Sequence, residues 1–157
     1  MKNILIIGAN SAIAKAAARL YAQENCHLYL LGRDTKALAE QKADLEIRGA
    51  HAVDYAPLDV THFAIHEAVI EQAVGILGQI DLALICHGSL PNQAVCERDF
   101  DAALEAYKVN ALSVISLLTL LAEHMQQQGS GCIAAVTSVA GDRGRQSNYI
   151  YGSAKGM

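Results

Sequence analysis

Short apolar runs alternate with longer segments of helical periodicity along the chain, and this alternation limits the possible folds more than any other feature. The runs cover residues 3–7, 27–31, 52–58, 80–86 and 132–137, and the helical segments cover residues 11–24, 35–48, 62–77 and about 99–127. Apolar runs of this length, rich in Ile, Leu and Val, are typical of strands buried on both faces, as in parallel sheets. The sequence therefore predicts an α/β fold in which helices cover both sides of a parallel sheet.

Capping residues support the helical segments. Ser11 and Thr61 are good N-cap residues, and Gly49, Gly78 and Gly129 stand where helices should stop. We expect a single domain over residues 1–157 with enough apolar residues for a sizeable core.

Composition argues against several classes of partner. The net charge is −4 and the basic residues are scattered, so we expect no nucleic-acid partner. The longest apolar run, residues 111–122, is interrupted by Ser113, Ser116 and Thr119, so we expect no membrane span. Three of the four cysteines lie in or beside apolar runs and none forms a zinc-like pair, which favours buried thiols, no metal site and a cytoplasmic location.

The turn after the first strand is the first candidate binding site. It reads Gly8-Ala9-Asn10-Ser11-Ala12-Ile13-Ala14 and leads into a helix. In a sheet of this kind, a dinucleotide pyrophosphate meets the helix N-terminus here, and small residues let the backbone approach the phosphates. A tight turn that serves only helix–strand packing is the alternative.

The end of the second strand bears on the choice of cofactor. Arg33 follows Gly32 directly, and a guanidinium there suits the 2′-phosphate of NADP, so we expect NADP(H) to be favoured over NAD(H). Asp34 comes one residue later than an aspartate that would bind the NAD ribose. It could instead cap the next helix or pair with Arg33.

Tyr151 and Lys155 stand four residues apart and share one face of a predicted helix. A free tyrosine has a pKa of about 10, and a neighbouring ammonium favours the phenolate and lowers that pKa. The pair could therefore transfer protons. The alternative is a solvated lysine beside a half-buried tyrosine.

Taken together, these motifs resemble the short-chain dehydrogenase/reductase family, and the resemblance runs from Ile4 to Met157. It implies a Rossmann-type doubly wound sheet. The family turn usually has three glycines, and here alanines replace two of them. The resemblance implies that the cofactor is bound by Gly8, Asn10, Ser11, Ala12, Ile13, Arg33, Asp59, Val60, His87, Gly88, Tyr151 and Lys155.

Two of these segments have alternatives. Asp59 resembles the family aspartate that contacts the adenine ring, although it could merely precede the next helix cap. The segment Ile85-Cys86-His87-Gly88 stands where the family often has Asn-Asn-Ala-Gly. Only Gly88 is kept, so we expect a backbone contact with the cofactor, and we interpret His87 as a loop residue rather than a catalyst.

The resemblance also implies a catalytic set of Asn110, Ser138, Tyr151 and Lys155. Asn110 matches the asparagine that holds a proton-relay water in a locally distorted helix, and Ser138 matches the serine that donates a hydrogen bond to the substrate carbonyl. Tyr151 and Lys155 match the acid–base pair. The implied reaction is hydride transfer between nicotinamide and a small carbonyl or alcohol substrate. Arg143 and Arg145 could meet an anionic substrate or could be solvated loop residues.

The family sheet has seven strands, and this sequence supplies five. We therefore expect a fold truncated after the fifth strand and the start of the following helix, with that strand as an apolar sheet edge. We expect a homo-oligomer and a 157-residue chain that is inactive alone. The alternative function is a nucleotide-binding module without turnover.

Overall fold

The computed structural model describes residues 1–157, and its centre is a parallel five-stranded sheet with the order β3-β2-β1-β4-β5. The chain winds outward from β1 in both directions, so the sheet is doubly wound, as predicted. The strands are β1 (Asn3–Ile7), β2 (His27–Gly32), β3 (Ala52–Pro57), β4 (Leu82–Ile85) and β5 (Cys132–Ala135).

Eight α-helices accompany the sheet, and two short 3₁₀ turns lie at Phe63–Ile65 and Gln146–Asn148. A π-helical turn, Lys108–Leu112, joins the fifth helix to the sixth. The helices are α1 (Ala12–Gln23), α2 (Thr35–Ile47), α3 (His66–Leu77), α4 (Gln93–Cys96), α5 (Phe100–Tyr107), α6 (Ser113–Gln128), α7 (Val139–Asp142) and α8 (Tyr149–Lys155).

Two hydrophobic clusters lie on opposite faces of the sheet. In β1, Ile4 and Ile6 pack with α1 and α2, whereas Leu5 and Ile7 pack with α3 and α6. Alternate side chains of a strand point to opposite faces, so an uninterrupted apolar strand needs cover on both sides. The apolar runs of β1 and β2 therefore reflect their central position, and β3 and β5, at the edges, are less buried.

The helix boundaries confirm most of the capping predictions. Ser11 Oγ accepts a hydrogen bond from the Ala14 amide, and Gly78 and Gly129 end α3 and α6 at positive φ. The prediction for Thr61 is wrong. Its amide and hydroxyl both donate to Asp59 Oδ1, at 3.0 and 2.8 Å, so it closes a turn and α3 begins five residues later.

The strand ends and one cysteine also differ from expectation. The runs at 80–86 and 132–137 form strands of only four residues, because the chain turns away after Ile85 and Ala135. Cys132 is exposed because β5 lies at the edge of the sheet, and Cys96 is buried instead, with Cys26 and Cys86.

One long helical stretch bears on the expectation of no membrane span. Phe100–Gln128 spans 29 residues and, by length and composition alone, could cross a membrane. The expectation of no membrane span rests on the serines that interrupt its apolar run. Leu117 and Leu121 of the stretch are fully buried in the cluster against β1, so its inward face contributes to the core of the sheet.

Candidate active site

A cavity of about 220 Å³ lies at the carboxyl ends of the strands, where ligands bind in open α/β sheets. We call it the strand-end cavity. Its walls come from the segments that follow β1, β2, β3 and β4, together with Val109 of the π-helical turn. The lining includes Gly8, Asn10, Ser11, Gly32, Arg33, Leu58, Asp59, Val60, Cys86, His87, Gly88 and Ser89.

The turn after β1 brings the start of α1 to this cavity. Gly8 has φ +79°, and a Cβ there would lie 2.5 Å from the backbone nitrogen of His87, so a side chain would clash. Ser11 caps the helix. The amides of Ala12 and Ile13 donate to no acceptor within the protein, and the first turn of α1 holds no acidic residue. Although Ala12 and Ile13 do not line the cavity, their free amides at a helix N-terminus suit the phosphates of a dinucleotide.

Asn10 connects this turn to the end of β2. Its Oδ1 accepts from the Asp34 amide and its Nδ2 donates to the Asp34 carbonyl, both at 3.2 Å. The contact is so close that a Cβ at Gly32 would lie 2.3 Å from Asn10 Oδ1. Asp34 caps α2 through the Ala37 amide, which confirms the capping alternative. Arg33 is exposed and is left as the charged side chain at this corner of the cavity.

Asp59 and Val60 form the wall that follows β3. The hydrogen bonds that Asp59 accepts from Thr61 hold the pKa of its carboxyl below the usual range. His66 is only 1% exposed, and its Nε2 lies 3.0 Å from the Val60 carbonyl oxygen. A carbonyl can only accept, so Nε2 carries the proton and Nδ1, 2.9 Å from Ser116 Oγ, accepts from that hydroxyl. Burial lowers the pKa of His66. Sequence reasoning misses its role because that role depends on a partner 50 residues away.

The segment of residues 86–89 lines the strand-end cavity and also a second one of about 180 Å³. We call the second one the Tyr151 cavity, because Tyr151 and Lys155 of α8 form its other side with Leu90, Val136 and Thr137. Lys155 Nζ donates to the Val136 carbonyl at 3.3 Å, and burial lowers the pKa of Lys155. A Cβ at Gly88 would lie 3.3 Å from Nζ, so Gly88 leaves room for the ammonium.

Asn110 lies in the π-helical turn and is 2% exposed. Both amide protons and the amide oxygen have partners within the protein. Nδ2 donates to the carbonyls of Ser89 and Ala106, each at 2.9 Å, and Oδ1 accepts from the Ser89 amide at 3.0 Å. The partners of this amide are therefore backbone groups. Through Ser89, the side chain holds residues 86–89, the segment that both cavities share.

Ser138 caps α7 by accepting a hydrogen bond from the Ala140 amide at 3.2 Å, and it lines neither cavity. Its place is set by the close packing of α7 on α8. A Cβ at Gly152 would lie 2.7 Å from the Ala140 carbonyl oxygen, and one at Gly141 would lie 2.6 Å from the Lys155 carbonyl oxygen. The two small residues thus bring the helix that begins at Ser138 against the helix that carries Tyr151.

His87 is the residue of the shared segment whose surroundings are least predictable from the sequence. Its Nε2 lies 2.8 Å from Ser113 Oγ, and burial lowers the pKa of His87 to about 4. Ser113 is fully buried in the first turn of α6. In the sequence, serines 113 and 116 only interrupt an apolar run, yet each contacts a histidine of the site. Buried hydroxyls in an apolar helix are the signal that could have indicated these contacts.

Comparison with known proteins points to one family. A family model described as "short chain dehydrogenase" matches residues 2–157. An uncharacterised oxidoreductase of Mycobacterium tuberculosis is 36% identical over 152 residues, which are 97% of this chain and 61% of the relative. The chain thus spans about three fifths of the length of that curated relative.

Solved structures agree in fold. A xylitol dehydrogenase bound to NAD⁺ is 25% identical with a TM-score of 0.89, and the match covers 99% of this chain and 60% of the other. An alcohol dehydrogenase of the archaeon Thermococcus sibiricus, in complex with 5-hydroxy-NADP, is 26% identical with a TM-score of 0.89, covering 99% and 66%.

Proposed function

The chain belongs to the short-chain dehydrogenase family, and we propose that it forms the cofactor-binding and catalytic part of a nicotinamide-dependent oxidoreductase. The proposed reaction is hydride transfer between the cofactor and a small carbonyl or alcohol substrate. One observation carries the proposal: residues 86–89 line both the strand-end cavity and the cavity that holds Tyr151 and Lys155. A cofactor in the first cavity would therefore lie beside a proton-transfer pair in the second.

The residues of the strand-end cavity suit a dinucleotide. The free amides of Ala12 and Ile13 would bind the pyrophosphate, and Asp59 and Val60 would bind the adenine end. Arg33 is the exposed cation at the end of β2, where the adenosine ribose lies in folds of this kind, so it would favour NADP over NAD. The likeness to solved structures supports either cofactor, since one holds NAD⁺ and another 5-hydroxy-NADP.

The bound nicotinamide supplies the hydride donor or acceptor. Tyr151 would exchange a proton with the substrate oxygen, and the Lys155 ammonium, one helical turn away, would stabilise the phenolate. Ser138 does not line the Tyr151 cavity but directly follows Thr137, which does, and its hydroxyl would donate a hydrogen bond to the same oxygen. Asn110 would keep the wall between the cavities in place through Ser89.

A second candidate is nucleotide binding without turnover by the 157-residue chain alone. The strand-end cavity is built from the ends of four strands of this chain. The Tyr151 cavity is more open, because only α8 and the segments after β4 and β5 form it. The matched parts of the relatives are about 60% of their length, so we expect the chain to bind cofactor and to turn over little substrate.

The proposal is tested by cofactor binding and by hydride transfer, measured separately. Fluorescence titration of the chain should show saturable NADPH binding. NADPH oxidation with a panel of ketones and aldehydes should be slow for the chain and should rise in a chimaera that joins the chain to the C-terminal part of the M. tuberculosis relative. Tyr151→Phe should abolish turnover by the chimaera and leave binding intact. Absence of binding would contradict both candidates, and steady turnover by the chain alone would contradict the second.

A further inference from the structure

We infer that one water bridges the Lys155 ammonium and Nδ1 of His87: the ammonium donates to the water, and the water donates to Nδ1. His87 is thus a positioning residue that stabilises the ammonium that serves Tyr151. The inference rests on the proposed function, because it assigns His87 a part in the proposed proton transfer. It departs from the interpretation of His87 as a loop residue.

The tautomer of His87 follows from its neighbours. Ser113 Oγ donates its single proton to the Val109 carbonyl at 2.8 Å. The same oxygen lies 2.8 Å from His87 Nε2 and can therefore only accept there. Nε2 must carry the ring proton, and Nδ1 is left as a hydrogen-bond acceptor held in a fixed direction.

Nδ1 of His87 is buried and has no partner among the protein's own atoms. Buried polar atoms in folded proteins almost always have a partner, so this nitrogen calls for a donor. His87 lines the strand-end cavity, the Tyr151 cavity and a third cavity of about 160 Å³, which we call the inner cavity. Lys155 and Asn110 line the inner cavity as well, among mostly apolar residues. That volume is large enough to hold water.

Lys155 has the donors that Nδ1 lacks. An ammonium carries three N–H groups, and only one of them is used within the protein, in the bond to the Val136 carbonyl. The amide of Asn110 is already occupied by Ser89 and Ala106. The ammonium is therefore the available donor that shares both the inner cavity and the Tyr151 cavity with His87.

The charges around the ring keep it neutral. Burial is the largest effect that lowers the pKa of His87 to about 4, and the charge of Lys155 and then His66 add to it. At neutral pH the ring is thus an uncharged acceptor beside a cation. The titratable or charged groups that face it are Lys155 and Tyr151 from α8, His66 from α3, Cys86 beside it in the chain, and Asp59 and Arg33 across the strand-end cavity.

The experiment measures the Lys155 ammonium directly and needs no turnover. The pKa of Lys155 is obtained from the pH dependence of its acylation rate, read by mass spectrometry. His87→Phe keeps an aromatic ring but removes the acceptor, so the pKa of Lys155 should fall by about one unit. His87→Gln keeps one donor and one acceptor and should leave it near the wild-type value. His124→Phe is the matched control, since His124 also has a buried, unpartnered ring nitrogen but lines neither the Tyr151 cavity nor the inner cavity.

Nitrogen-15 spectra of the histidine rings give a second readout. In the wild type, His87 should show one tautomer with its proton on Nε2, and Lys155→Met should shift the Nδ1 resonance downfield. Two results would overturn the inference even if the protein is an oxidoreductase. One is a Lys155 pKa that is unchanged in both His87 variants, and the other is an Nδ1 resonance that does not shift in Lys155→Met. If both readouts respond and no hydride transfer is found in the chimaera, the contact stands and the proposed function fails.

Discussion

Asn110 and Ser89 are joined by two hydrogen bonds that run in opposite directions, although 21 residues separate them. The Asn110 amide thus replaces a strand partner for a piece of backbone that has left the sheet after β4. Since residues 86–89 form the wall common to both cavities, this pair sets the relation between them.

Replacing Asn110 by alanine should loosen that wall. The change leaves the amide and carbonyl of Ser89 and the carbonyl of Ala106 without their partner, so we expect a loss of about 2–4 kcal/mol in the free energy of unfolding. Urea unfolding measures the loss, and hydrogen exchange should show a less protected Ser89 amide. Asn92→Ala removes the N-cap of the four-residue helix α4, at an exposed position, and should cost about 1 kcal/mol without affecting Ser89.

Arg33→Ala should weaken NADPH binding more than NADH binding. A guanidinium bonded to a phosphate contributes about 1.5–3 kcal/mol, so we expect a loss of about tenfold or more for NADPH and less than threefold for NADH. Fluorescence titration with both cofactors measures the difference. Arg98→Ala, at an arginine outside the strand-end cavity, should change neither affinity. Equal losses at Arg33 for both cofactors would refute the 2′-phosphate assignment.

Stability should fall as the pH is lowered from about 6.5 to 4, and His87 should contribute to the loss. Its pKa is lowered in the fold to about 4, so in this window the unfolded chain binds a proton that the folded chain does not. Lowering the pH therefore favours unfolding. We expect His87 to contribute about 2 kcal/mol, less than the full shift would give because the ring is partly accessible.

The contribution of His87 is isolated by comparing the wild type with His87→Gln in urea at several pH values. The difference in unfolding free energy should shrink or reverse in favour of the variant as the pH falls. His51→Gln, at an exposed histidine, should follow the wild type throughout. Parallel curves for the wild type and His87→Gln would contradict the assignment.

Gly152→Ala should disturb the packing of α7 on α8. The new Cβ would lie 2.7 Å from the Ala140 carbonyl oxygen, which is backbone and cannot turn aside, so we expect a loss of about 1–3 kcal/mol. Gly75→Ala is the matched control in α3, where a Cβ meets nothing within 4 Å. It should stabilise the chain by about 0.5–1 kcal/mol, as alanine does within helices. Thermal unfolding of both variants measures the contrast.

The sequence predicts the sheet and its covering helices because their signals are local. The apolar runs of β1 and β2 and the caps at Ser11 and Gly129 depend on neighbouring residues or on burial from both sides. The start of α3 differs from the prediction for a physical reason: Thr61 has the right chemistry for a cap, but its two hydrogen bonds to Asp59 hold it in a turn, and α3 begins only at His66.

The site is less predictable from the sequence because its contacts are long-range. Tyr151 and Lys155 can be paired from their spacing, but nothing near His87 in the sequence indicates Ser113, 26 residues later. The same holds for Gly152, whose closeness to Ala140 depends on how α7 folds back on α8. The roles of Asn110, Ser138, Tyr151 and Lys155 in catalysis stay predictions.

Residues 110, 113 and 116 lie three apart at the junction of the π-helical turn and α6, and they hold, in order, Ser89, His87 and His66. His66 in turn holds the Val60 carbonyl. One helix thus positions two loops that are far apart in the sequence. Inserting a single residue between Asn110 and Ser116 would displace two walls of the strand-end cavity together, the one after β3 and the one after β4. A longer loop after β3 alone, or after β4 alone, would displace only one of them.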